Sequence, residues 1–229
     1  MPKQYTEEEQ IELILKALEP RVGERAVTLG AASTVLDMNG YSETIGSLAS
    51  ASGQGRVTSS SSGSVTLNTG GNNTGTTYTG LIEDGSGTVL LTKAGTGTFQ
   101  LSSTANTYSG LTTVSAGILD IRNSASLGSV SGGTSVATGA SLFMYDNITV
   151  GDESLTINGS ANAGSLRSVS GTNTWGGTIT LGSASTIYVD GGSLTLAPSS
   201  GNAISSTNIG ITFNGNGTTT VNGPMSLVS

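Results

Sequence analysis

The chain has 229 residues, of which 35 are glycine and none cysteine or histidine; 34% are hydrophobic, 4% aromatic, and the net charge is −7. Without cysteine no disulfide can add stability, and without histidine the commonest general base and metal ligand is missing. Sparse lysine and arginine in an acidic chain argue against a nucleic-acid surface, and no apolar run approaches the roughly 20 residues of a membrane helix, so no membrane insertion is expected.

Residues 1–25 carry ten of the charged side chains and differ from everything after them. Ile11, Ile14, Leu15 and Leu18 recur at the spacing of one helical face. Thr6 and Glu9 fit a capping box, Glu7 to Glu9 suit the positive end of the helix dipole, and Pro20 stops the helix near Glu19. The apolar face needs a cover. The open end of the adjoining domain is the first candidate; a second chain, or an added tag, is the alternative. This acidic N-terminus has no hydrophobic core of a secretory signal.

Residues 26–229 read as strand and turn throughout, with no proline between Pro20 and Pro198 to interrupt a ladder. Turn dipeptides such as Asn39-Gly40, Asp84-Gly85 and Asp190-Gly191 separate short alternating runs. Comparable apolar pairs return after about 20 to 24 residues: Phe99/Leu101, Leu119/Ile121, Leu142/Met144, and again Leu155/Ile157, Ile179/Leu181. Such a period signals a solenoid of parallel coils. A sandwich also fits short strands with frequent turns, but the small aliphatic inward positions and weakly charged turns favour stacked coils.

The segment Lys93–Ile121 is similar to the autotransporter-associated β-strand repeat, found in passenger regions of bacterial autotransporters. The likeness lies in K-x-G-x-G-T at Lys93–Thr98, in ANTYSG at Ala105–Gly110 and in TTVSAGILDI at Thr112–Ile121. Leu36–Leu48 and Gly71–Gly95 resemble the same repeat, and Asn173–Leu196 does so more loosely. The resemblance implies an all-β fold, a right-handed parallel β-helix displayed at the cell surface or secreted; residues 1–25 match nothing in the repeat, and their short N-terminal capping α-helix is read from their own apolar spacing. No translocator barrel is read in the chain, so a passenger segment is expected.

Chemistry is sparse. The nine carboxylates after residue 25 look dispersed, and Glu83-Asp84 and Asp152-Glu153 read as solvated turn charges. No serine has a histidine to activate it, and the G-x-G strings lack the following helix of a phosphate loop. No catalytic residue, cofactor or metal site is expected. Among the aromatic residues Tyr108, Tyr145 and Trp175 are candidate surface contacts able to stack on sugars, although core packing is the alternative for each. The expected role is a non-catalytic structural or adhesive stalk, an adhesin segment whose partners would be a surface glycan or a second copy meeting it at the coil ends. The rivals are an end-to-end assembling module and a carbohydrate-acting β-helix enzyme, the latter hinted at if carboxylates gathered on one face.

Overall fold

The computed structural model describes residues 25–50, 53–159 and 164–228. The expected helix bearing Ile11, Ile14, Leu15 and Leu18 lies outside the described residues. Within them the regular elements are short β-strands of two to seven residues, and no helix there is long and apolar enough to cross a membrane.

The strands stack into a parallel β-solenoid of about nine coils. One face is a nine-stranded sheet running from Glu43–Thr44 to Met225–Val228. A second is a seven-stranded sheet from Thr76–Tyr78 to Ile211–Gly215. The third is divided into a three-stranded piece, Val35–Asp37 to Leu81–Ile82, and a four-stranded piece, Thr149–Val150 to Thr218–Val221. Pairing is parallel, and each rung lies one coil further along the chain. On the nine-stranded sheet, for example, Thr113 pairs with Ser135, Ser135 with Thr156, and Thr156 with Thr180.

The register follows the apolar pairs of the sequence. Phe99 lies on Leu119, Leu119 on Leu142, Leu142 on Leu166 and Leu166 on Ile187. All five are buried. A slip of one residue would turn every one of them to solvent, so alternation specifies the register. Each coil buries only a few aliphatic side chains, at ~2 kcal/mol each, and therefore depends on the coils above and below it.

Where the third face lacks strands, two loops fill the gap, and a buried amide ties them in. Asn106 Oδ1 accepts the Ile82 N–H at 2.9 Å and Asn106 Nδ2 donates to the Ser126 carbonyl at 2.9 Å. Asn106 thus joins three successive coils, which explains an asparagine at that place in ANTYSG. The glycines of K-x-G-x-G-T have an equally local cause. Gly95 has φ +66°, and a Cβ there would run into the Gly70 carbonyl of the coil below.

The last described coil is uncovered. Phe213 and Leu227 are 39% and 43% exposed, although they stand one rung beyond buried or nearly buried positions of the previous coil. A shallow depression of about 360 Å³ lies over Phe213, Thr219 and Val221.

Candidate functional site

The outer faces differ sharply in chemistry. On the nine-stranded sheet the outward column from Thr92 through Thr113, Ser135, Thr156, Thr180 and Ser205 to Ser226 is small and uncharged. The seven-stranded sheet instead gathers aromatic and charged groups. Its outward rungs read Asp120, Phe143, Arg167 and Tyr188, each paired with the next. Two residues further along, on the same side of their strands, come Arg122, Tyr145 and Asp190.

These side chains are locked together. The Arg122 guanidinium donates from Nε to Asp120 Oδ1 at 2.9 Å and from Nη2 to Oδ2 at 3.0 Å, and its Nη1 reaches Asp146 Oδ2 at 3.3 Å. Its central carbon stands 3.7 Å from the centroid of the Tyr145 ring. Arg167 makes the same planar fork with Asp190, at 2.7 and 2.8 Å. It lies between two rings, 5.2 Å from the Phe143 centroid and 5.0 Å from that of Tyr188. Phe143 and Tyr145 are tilted at 49° with centroids 6.5 Å apart. Bidentate pairing with stacking on rings is what arginine offers and lysine does not.

The electrostatics follow from this geometry. Burial pushes the Asp120 carboxyl up, while the Arg122 hydrogen bonds and charge pull it back. Both guanidiniums are held above their ordinary value, chiefly by the hydrogen bonds to Asp120 and Asp190. The Tyr145 phenol is raised, by burial first and by the Asp120 charge second. Each carboxylate of the fork pairs is occupied by its own arginine, so no free acid and base face each other here. Among the described residues no three metal-binding side chains converge.

Two of the sequence candidates are elsewhere. Tyr108 is fully buried, with its hydroxyl 2.8 Å from Thr112 Oγ1. Trp175 is also fully buried, because strand alternation puts it on the core side with Asn173. Neither offers a surface contact. Tyr145 does lie at the surface, half-buried, inside the cluster. The carboxylates that looked dispersed are not all so: Asp120, Asp146 and Asp190 come together on one face although they lie 26 and 44 residues apart in the chain. Counting outward positions down the coil period, from Asp120-Ile-Arg122 to Phe143-Met-Tyr145 to Tyr188-Val-Asp190, is the signal that finds them.

Glu153 is a second departure. It is 2% exposed, not a solvated turn charge. Its Oε1 accepts the Thr134 hydroxyl at 2.8 Å, and Thr134 stands one rung from Thr112, the partner of Tyr108. Burial raises the carboxyl to about 7, the Thr134 hydrogen bond opposing it, and burial raises the Tyr108 phenol well above its usual range. A polar line therefore runs through the solenoid interior, sealed from solvent.

Coiled parallel sheets with one decorated face define the molecule as a parallel β-solenoid. Residues 91–121 match the family model of the passenger-associated-transport-repeat. It is also 32% identical over 133 residues to the adhesin BmaC autotransporter of Brucella suis biovar 1 (strain 1330). That match covers 58% of this chain and 4% of the much longer adhesin. No solved structure matches the chain.

Proposed function

We propose that the chain is a non-catalytic passenger segment of an autotransporter-like protein, a rigid β-helical stalk with an adhesive face, placed at the cell surface or secreted. The observation that carries this is the passenger repeat at residues 91–121 set within an unbroken stack of coils. The adhesin relative supports the adhesive half of the reading. The arginine-occupied carboxylates of Asp120 and Asp190 support a non-catalytic role, since acid/base work on a glycan needs a carboxyl free to give or take a proton. Parallel strands joined by crossover connections favour the right hand, as the resemblance implies. In this reading residues 1–25 form a helical cap, and replacing Ile14 and Leu18 by Asp destabilises the protein; unchanged stability would sink the cap.

The test is display. A non-adherent Gram-negative strain presents the chain on a translocator barrel, and bacteria retained on an epithelial monolayer are counted against the barrel alone. Several-fold higher retention, removed by protease shaving, is expected; equal retention rejects the adhesive role. A second reading rests on the exposed apolar residues of the last described coil, Phe213, Met225, Leu227 and Val228. They suit self-association through the coil end.

A further inference from the structure

The cluster on the seven-stranded sheet deepens the adhesive reading, and its role as a binding face rests on that reading. Charge and ring are scarce in this chain, at 10% and 4% of residues. Yet three rings and two guanidiniums stack on consecutive coils. At ~4.8 Å per rung the four rungs from Asp120 to Tyr188 span about 15 Å along the axis and two residues across. That footprint is roughly 100 Å², far below the ~800 Å² per partner of a stable protein interface. On the neighbouring nine-stranded face the column from Thr113 to Ser226 carries only small hydroxyl side chains and offers no ring or charge with which to extend it. The ligand that fits is therefore narrow and long.

Charge narrows the choice further. The three carboxylates exceed the two guanidiniums by one, and both guanidiniums are already engaged by carboxylates. A polyanion would find no free cation. A neutral polyhydroxylated chain finds half-exposed rings for its C–H faces and fixed carboxylate and guanidinium edges for its hydroxyls. The rung spacing is also close to the length of one sugar unit in an extended glycan. Tyr145 and Tyr188 stand two rungs apart and two residues across, so a glycan crossing the face diagonally sets separate units on the two rings.

We propose that this face binds a neutral, unbranched oligosaccharide lying diagonally across the coils, with Tyr145 and Tyr188 as stacking platforms and the partly exposed Asp190 and Arg167 as hydrogen-bonding edges. The structure thereby gives the stalk a site where adhesion is made.

The experiment is titration calorimetry of the whole chain with cellohexaose, laminarihexaose and N-acetylchitohexaose, with a heparin hexasaccharide as the polyanion. Binding of at least one neutral hexasaccharide is expected, weakened at least tenfold by Tyr188→Ala and by Tyr145→Ala. Tyr41→Ala, an exposed tyrosine elsewhere, leaves it unchanged. Should an alanine variant lose the fold, chemical-shift changes at Tyr145 and Tyr188 of the unaltered protein decide instead. No binding of any neutral hexasaccharide at millimolar concentration overturns the inference, as does tighter binding of the heparin fragment or shifts confined to other residues. In the display assay, full adhesion by the Tyr145/Tyr188 double variant overturns this site and leaves the passenger reading standing. Oligosaccharide binding by a chain that confers no adhesion supports the site and rejects the adhesive reading.

Discussion

Glu153 sits in the solenoid interior with its Oε1 on the Thr134 hydroxyl at 2.8 Å, one rung from the Tyr108–Thr112 pair. Its carboxyl is raised by burial from an ordinary 4.5 to about 7. The folded state therefore holds its proton more tightly than the unfolded chain does. The stability this provides is complete below about pH 4.5 and is lost as pH rises through about 7, a swing of about 3 kcal/mol. Glu153→Gln keeps an acceptor for Thr134 and removes the titration. Urea unfolding midpoints between pH 4.5 and 8 should fall for the parent chain and stay level for the variant. A parallel fall in both would show that the proton is bound elsewhere.

Lys93 presents the opposite sign. Its Nζ donates to the carbonyls of Ala94, Gly95 and Ala116 at 2.6, 2.9 and 3.1 Å, joining two coils from inside. Burial lowers it from 10.5 to about 8. Here the unfolded chain binds the extra proton, so stability rises with pH between about 8 and 10.5. Lys93→Met fills the space but strands the carbonyls, at about 2–4 kcal/mol for the group. The variant should lose several degrees of Tm at pH 7 and lose the alkaline rise as well. Equal thermal midpoints in both chains would mean that the three bonds contribute nothing net.

Gly95 and Gly139 separate two roles of glycine. Both have positive φ, +66° and +84°. A Cβ on Gly139 would meet nothing within 4 Å, whereas one on Gly95 would enter the Gly70 carbonyl. Gly139→Ala should cost only the left-handed backbone term, about 1–2 kcal/mol. Gly95→Ala must also push two coils apart and should cost clearly more, read as the difference in chemical-denaturation midpoints. Similar costs would show that conformation alone, not coil spacing, sets the glycines of K-x-G-x-G-T.

Much of the fold is legible because the chain repeats one instruction. Phe99, Leu119 and Leu142 return at a coil's length with polar neighbours between them, and the register simply stacks them. The cluster is harder to see, because coil length varies with the loops. Asp120 and Arg167 are separated by two coils, and only the register reveals that Phe143 lies between them. Tyr108 and Trp175 mislead for another reason: aromatic residues are rare here, and rarity suggests display when both in fact fill the interior. Glu153 is illegible because its place beside Gly151 and Asp152 resembles a surface turn, while the chain carries its side chain back beneath Thr134.

The uncovered coil makes the last prediction. Met225 stands on Ile204 and Leu227 on Ser206, so both point along the core column with no rung beyond them in the described chain. The strands Ile211–Gly215, Thr218–Val221 and Met225–Val228 each pair on one side only. Apolar surface and an open ladder together favour edge-to-edge association. Light scattering on a size-exclusion column should give a molar mass that grows with protein concentration. Leu227→Asp places a charge on that apolar end, and Met225→Lys a second of opposite sign. Either should return the mass to the monomer value while leaving the far-UV circular dichroism unchanged, because neither residue is in the sealed interior. A constant monomer mass in the parent chain across the same range would reject self-association at this end.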